Sequence, residues 1–369
     1  MTGAVSMLAA FVVFILAHEA GHFFAAKALG IKVSEFFVGF GPRIWSVQRG
    51  ETEYGVKAIP AGGYVRIVGM SVLEDVDPED MGRTYREKEF WKKSVVVLSG
   101  IAANFVIAYL IFFGLLAVNG RVEIQPVVEE VRAEIAGSNE IAPAALIGLE
   151  SGDEFVSIDG ETVESWDEVS AVIADRPGEQ VDIVILRDGL QKTLTATLAS
   201  IDTGGSEPSG YLGVAPVIER VDVGFFSAAG LAGREVIDIT GEAYKTLWNV
   251  FKPTSIAQLV QGIFGEPVPD EIRPVSLIGV AQVGSQVDVL GASTLIAFLA
   301  VFNIILGAFN VLPLLPLDGG HFAIALYEKI THKQADIRKL IPVAATVILL
   351  MVFIGFVSIL LDIVQPIRF

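Results

Sequence analysis

The chain has 369 residues, 52% of them hydrophobic and 19% charged, with a mean hydropathy of +0.59. That is too apolar for an ordinary soluble protein and calls for membrane spans plus a smaller polar part. A net charge of −17 excludes nucleic acid as a partner, and the lack of cysteine excludes disulfides and thiolate metal sites, so any metal must be held by His, Asp or Glu.

Four runs, 5–26, 95–118, 295–315 and 341–361, reach the roughly 20 residues needed to cross a bilayer. No Lys or Arg precedes the first, and its apolar run continues past His22, so it reads as a retained span and not as a cleaved leader. Lys27, Lys32 and Arg43 follow span one; Arg86, Lys88, Lys92 and Lys93 precede span two; Lys329, Lys333, Arg338 and Lys339 separate spans three and four. Residues 119–292 are rich in Asp and Glu. The positive-inside rule then places both termini and this acidic middle outside, with Arg368 the one residue against it. The expected fold is a multi-pass α-helical membrane protein with four transmembrane helices, a membrane-associated β-sheet after helix 1, and an extracytoplasmic α+β domain.

In chain order, 1–28 is the first span. Its core, FILAHEAGHFFAA (14–26), places His18 and His22 four residues apart, on one helical face. Both imidazoles then reach a single Zn²⁺, and Glu19 reaches the water that the metal activates. Two histidines satisfied by hydrogen bonds in a bundle core are the alternative, but they leave Glu19 unexplained inside a span.

Residues 29–93 carry strand-like runs broken at "RGE" and "AGG", read as a sheet on the cytoplasmic side that caps the membrane or dips into it. Residues 94–118 are the second span. The second soluble stretch, 119–216, is β-rich. It has Asp-Gly turns, a helical spacing of Val169, Val172 and Ile173, and two strands around the Asp-Gly turn of 177–198; 202–210 reads as a linker. Its segment APAALIGLESGDEFVSIDG (142–160) resembles the opening of a bacterial PDZ domain. Residues 217–292, with Tyr244, Leu247, Trp248 and Phe251 at helical spacing, read as amphipathic helix on the membrane surface, part of a gate or simply packed.

The third span, 293–316, leads into NVLPLLPLDGGH (310–321), where two prolines and paired glycines interrupt the helix at membrane depth. A catalytic zinc wants a third protein ligand, and Asp318 is the candidate; a helix-capping role for Asp318 and ligation by His321 are the alternatives. Residues 317–340 are expected as this motif and a cytoplasmic loop, with His332 solvated, and 341–369 as the fourth span and C-terminus.

The whole pattern resembles the site-2 protease family of intramembrane zinc metalloproteases, in its bacterial form with a single PDZ domain. HEAGH matches the family's H-E-x-G-H, and NVLPLLPLDGG its Asn-x-x-Pro-x-x-Pro-Leu-Asp-Gly-Gly; GFGP (39–42), IPAGGYVRI (59–67) and RPVSLIGVA (273–281) are further family-like blocks. SGIAANF (99–105) is similar to the family's Gly-Pro-x-x-Asn-Phe, with Ile101 where proline is usual.

The resemblance implies that His18, His22 and Asp318 bind Zn²⁺ and that Glu19 is the base. It implies that Asn310 and Asn104 lie near bound substrate, and that the sheet at 44–70, with Tyr54, Val56, Gly62 and Gly63, receives substrate as an added strand. The implied substrates are single-span membrane proteins, with anti-sigma factors frequent among them. An upstream first-cut protease trims them, and the chain sits in the bacterial inner membrane. The PDZ domain then acts as a size filter or as a reader of the new chain end. Two other classes compete: a membrane-anchored PDZ adaptor with a vestigial metal site, and a metal or proton transporter. The intact His18, Glu19, His22 and Asp318 speak against the first, and the lack of paired ionisable residues in spans two and four against the second.

Overall fold

The computed structural model describes residues 2–70, 74, 76–135, 138, 140–201, 208–266, 268–269, 272–287 and 291–365. Arg368 and most of the expected linker, 202–207, lie outside them. The elements run α1 (Thr2–Ala28), β1 (Val33–Arg49), β2 (Thr52–Ile67), α2 (Phe90–Asn119), β3 (Arg121–Val131), α3 (Pro143–Leu146), β4 (Glu154–Ile158), β5 (Glu161–Thr162) and α4 (Trp166–Ala174). They continue with β6 (Gln180–Arg187), β7 (Leu190–Thr197), β8 (Ala199–Ile201), β9 (Ser209–Tyr211), β10 (Val214–Val221), α5 (Phe225–Val250), α6 (Pro253–Ile263), α7 (Leu277–Val287), α8 (Ala292–Val311), α9 (Asp318–Thr331) and α10 (Ile337–Val364). Among the described residues four helices, α1, α2, α8 and α10, are long and apolar enough to cross a membrane.

The chain divides into two compact units, 117–224 and the remainder. In the first, five strands run in the order β10-β3-β4-β6-β7, with β5 pairing on β4. Local chemistry builds it. Asp188 (φ 53°) and Gly189 (φ 77°) form the two-residue turn between β6 and β7, the geometry that matches strand twist. Ser165 Oγ caps α4 at the N–H of Glu168, while the Glu168 carboxylate accepts from the N–H of Glu164. Phe155, Ile158, Val169, Ile183, Ile185 and Leu198 are among its buried core. The sheet extends beyond residue 216, because Pro216 sits at a register shift on the edge strand β10, a position where a missing N–H costs no ladder bond. The end of the expected linker, Ser209 and Gly210, belongs to strand β9, which pairs with β8.

In the second unit the β1–β2 sheet is more elaborate than a hairpin. Residues 35–38 pair with 63–66 on one side and 53–56 on the other, and 43–49 pair with 52–57. Two strands thus make four segments in the order 43–49, 52–57, 33–40, 59–67. Residues 33–43 belong to the sheet although the glycines of GFGP suggest a loop: Gly39 and Gly41 adopt φ +85° and +84° and bend the strand. Val33 and Ile67 join Phe23, Ala26, Val96 and Val97 in one core beneath α1 and α2.

Three expectations change here. The third span ends at Val311, and residues 312–317 are irregular. The paired glycines do not interrupt a helix, because they lie inside the first turn of α9. A Cβ on Gly319 would meet Val311 O at 2.1 Å, and one on Gly320 would meet Leu315 N at 2.6 Å, so their bareness lets α9 start against the end of α8. Finally, α10 does carry an ionisable residue. Asp362 is fully buried and paired with Arg273 (3.2 Å), and its other oxygen accepts from the N–H groups of Ser276 (2.8 Å) and Gly279 (3.2 Å). With both oxygens committed, it fastens the 273–279 segment to α10.

Candidate metal centre

Helix α1 supplies His18 and His22 on one face, and Asp318 begins α9. Asp318 Oδ2 lies 3.0 Å from His18 Nε2 and 3.1 Å from His22 Nε2, and the two imidazole nitrogens are 3.1 Å apart. Among the described residues this is the one cluster with metal-ligand geometry, and His321 is outside it. Asp318 also does not cap its helix: the N-cap is Leu317, without a side-chain bond.

Proton counting tests whether this triangle suits a metal. His22 Nδ1 lies 2.7 Å from Val96 O, a carbonyl that only accepts, so Nδ1 carries a proton, and Nε2 presents a lone pair when the ring is neutral, as a metal ligand must be. That lone pair faces a carboxylate oxygen and a second imidazole nitrogen. One proton on His18 cannot serve all three contacts, whereas a single cation does. A tetrahedral metal with bonds of about 2.0–2.1 Å separates its ligands by roughly 3.3 Å, close to the observed edges. The donor set suits zinc, and Glu19 stands outside it.

Glu19 Oε2 accepts the backbone N–H of Val65 at 3.1 Å, so the base candidate is tied to β2. Glycines set the helix spacing. A Cβ on Gly21 would meet Ser99 O at 2.5 Å, so the glycine of HEAGH is where α1 touches α2. A Cβ on Gly100 would lie 2.2 Å from His22 Nε2, so only glycine leaves room for the ring. Ser99 Oγ donates to Gly21 O (2.9 Å) and Val96 O (2.6 Å). Val96, Ser99 and Gly100 escape a search by residue type, since a carbonyl ligand-holder and a bare Cα carry no side-chain signature. SGIAANF was the available sign. With Ile101 in place of proline, α2 runs unbroken from Phe90 to Asn119.

The other expected substrate contacts are dispersed. Asn310 Nδ2 donates to Leu306 O (3.0 Å) in its own helix. Asn104 is fully buried, its backbone carbonyl accepting from Asn303 Nδ2 at 2.7 Å. Tyr54 and Val56 lie on the inner segment 52–57, paired on both sides, and the Tyr54 ring packs on Phe23 and Phe36. Gly62 and Gly63 lie on the outer segment, Gly63 beside Glu19 and Gly62 beside Phe40 and Ile15.

Two imidazoles and a carboxylate converging on one point, with a glutamate beside them, set among helices apolar enough to span a bilayer, suit a membrane metallopeptidase. Peptidase family M50 matches residues 6–355. The zinc metalloprotease Rip1 of Mycobacterium tuberculosis is 34% identical over 407 aligned positions, covering 100% of this chain and 98% of its own. The zinc metalloprotease RasP of Shouchella clausii is 27% identical, covering 92% and 93%. Among solved structures, the PDZ domain of an SdrC-like protein from Listeria monocytogenes covers 26% of this chain and 87% of its own at 24% identity, with a TM-score of 0.21. The chain belongs to peptidase family M50, the site-2 protease family, and is a zinc metalloprotease.

Proposed function

We propose that His18, His22 and Asp318 hold the zinc and that Glu19 is the general base in cleavage of transmembrane segments of single-span membrane proteins. The carrying observation is the convergence of three proton-poor ligand atoms within about 3 Å of one another, two of them on a helix able to cross the membrane. When bound, zinc supplies the Lewis acidity that polarises the scissile carbonyl and makes a water nucleophilic at neutral pH. Glu19 takes that water's proton on its free oxygen and delivers it to the leaving amine. Val96 O holds the His22 ring in the tautomer that ligates, and Gly100 gives the ring its place. A helical substrate must unwind before attack, because its peptide groups are tied into their own hydrogen bonds. The outer edge of β2, which pairs with no other described strand, offers those freed groups replacement partners.

The same reading places the chain in the bacterial plasma membrane with its termini outside. Lys27, Lys32 and Arg43 after span one, Arg86, Lys88, Lys92 and Lys93 before span two, and Lys329, Lys333, Arg338 and Lys339 between spans three and four favour the inner side for those loops, and so the outer side for residues 117–224. This acidic unit is a PDZ domain, supported by the order of its Gly-Asp and Asp-Gly turns. It screens substrates that a first protease has trimmed, with anti-sigma factors the leading class. The test is co-expression with single-span proteins lacking their outer domains. Glu19→Gln should keep one zinc per chain and lose cleavage by about 10²–10⁴-fold. Undiminished cleavage by that variant would contradict the assignment, and zinc flux across vesicles would point to transport instead.

A further inference from the structure

Helices α1 and α2 meet backbone to backbone beside His22. A Cβ on Gly21 would lie 2.5 Å from Ser99 O, 2.8 Å from Ser99 C and 3.0 Å from Gly100 Cα. The Ser99 hydroxyl uses this close approach. Its Oγ lies 2.9 Å from Gly21 O on the facing helix and 2.6 Å from Val96 O, one turn back in its own. A serine hydroxyl has a single proton to donate, so the two carbonyls share it in a three-centre bond. Both carbonyls belong to the setting of His22. The Gly21 carbonyl forms the peptide bond that leads into His22, and Val96 O lies 2.7 Å from His22 Nδ1. One hydroxyl thus ties the backbone in front of the ring to the carbonyl that orients the ring.

We propose that Ser99 is a positioning residue for the metal site, its hydroxyl holding His22 in the ligating orientation before zinc binds. This rests on the reading above that His22 is a zinc ligand. Two effects oppose each other. A proton given to Val96 O competes with His22 Nδ1–H for that carbonyl, which loosens the ring. The tie to Gly21 O keeps the ring and its acceptor, on facing helices, at a fixed spacing. The second effect decides, since a shared acceptor is only weakened, whereas one at the wrong distance is lost. A ligand that occupies its binding pose for part of the time raises the apparent dissociation constant in inverse proportion. Ser99 therefore acts on zinc affinity and not on the chemistry of the loaded site. It works through two backbone carbonyls, so a search by ligand type passes over it.

The test uses the full-length chain in detergent, with zinc affinity measured by competition against a chromogenic chelator. Ser99→Ala removes the hydroxyl and keeps Cβ. It should raise the zinc dissociation constant about tenfold, the lower end of what the partners of ligating histidines contribute. Ser99→Thr keeps a hydroxyl that can bond back to its own helix, and should bind zinc as the unaltered chain does. Ser94→Ala removes a hydroxyl that bonds Phe90 O of the same helix at 2.9 Å, and should change nothing.

Cleavage of a synthetic single-span peptide gives the second readout. With zinc in excess, Ser99→Ala should recover the kcat of the unaltered chain, because the same ligands then close around the metal. Gly100→Ala should not, because a methyl 2.2 Å from His22 Nε2 bars the ring at any zinc concentration. Unchanged or tighter zinc binding by Ser99→Ala would overturn the inference. So would an equal loss in Ser94→Ala, a Ser99→Thr chain as weak as Ser99→Ala, or a kcat that stays low at saturating zinc. The underlying reading fails differently: His22→Ala would bind zinc as tightly as the unaltered chain.

Discussion

The two sheets of this molecule are built on opposite terms. The sheet of residues 117–224 encloses its own core, with Phe155, Ile158, Ile183 and Ile185 all buried. The β1–β2 sheet has none: it shares Val33 and Ile67 with α1 and α2, and leaves Phe40, Ile44, Trp45, Val56 and Ile59 exposed. The first is a self-sufficient domain. On the proposed reading the second is a layer between lipid and the helix that carries His18 and His22, its inner side delivering the Val65 N–H to Glu19 and its outer side exposing large apolar side chains. On the function proposed above, chemistry is attached to the dependent sheet and selection to the other.

Separate energetics follow, and the sharpest way to break the comparison is at Gly100. Gly100→Ala forces a methyl into His22 Nε2, so zinc content and cleavage should both fall, cleavage by about 10²-fold or more given how steeply catalysis depends on placement. Gly114→Ala on the same helix meets nothing within 4 Å and should leave both unchanged. Retention of full activity by Gly100→Ala would mean that the ring sits elsewhere.

Phe155→Ala probes the other side. It should destabilise the soluble 117–224 domain by about 3–5 kcal/mol in urea titration while the full chain keeps its zinc. Zinc loss in that variant would show that the two units do not stand independently.

A smaller effect distinguishes the sheets by their surroundings. In single-tryptophan variants reconstituted with brominated lipid, Trp45 fluorescence should be quenched severalfold more than that of Trp166. Trp45 is 60% exposed, whereas Trp166 packs on the domain core. Equal quenching would remove the lipid-facing role of β1.

The smallest expected effect is a pH dependence confined to the domain. Burial works to raise the Asp153 pKa, but the Arg187 guanidinium, bonded to both its oxygens at 2.6 Å, outweighs it and holds the carboxyl below the ordinary range. A depressed acid stabilises the fold above its unfolded pKa of about 3.9, and loses that contribution as pH falls through the folded value. The domain's melting temperature should therefore drop more steeply below about pH 4 than that of Asp153→Asn. Parallel curves would assign the acid sensitivity to other groups.

These contrasts also explain what the sequence made legible. His18, Glu19, His22 and Asp318 could be named because ligand chemistry restricts residue type and a helix fixes spacing. The Asp188–Gly189 hairpin could be named because turns are local. The middle strand 33–43 could not, since Gly39 and Gly41 imitate a loop until tertiary pairing bends them into the sheet. Nor could the work of Val96 and Gly100, which is a carbonyl and an empty space. Helix α9 was hidden by the glycines that begin it, because their packing against Val311 and Leu314 outweighs their poor helix propensity.

The central claim is that His18, His22 and Asp318 close around one metal ion. Zinc-edge X-ray absorption of the purified chain in detergent tests it most directly, alongside metal analysis of Asp318→Ala. The account predicts one zinc per chain with nitrogen and oxygen ligands at about 2.0–2.1 Å, including two imidazoles, and loss of that signal in the variant. A chain purified without bound metal, or a zinc signal untouched by Asp318→Ala, would contradict it.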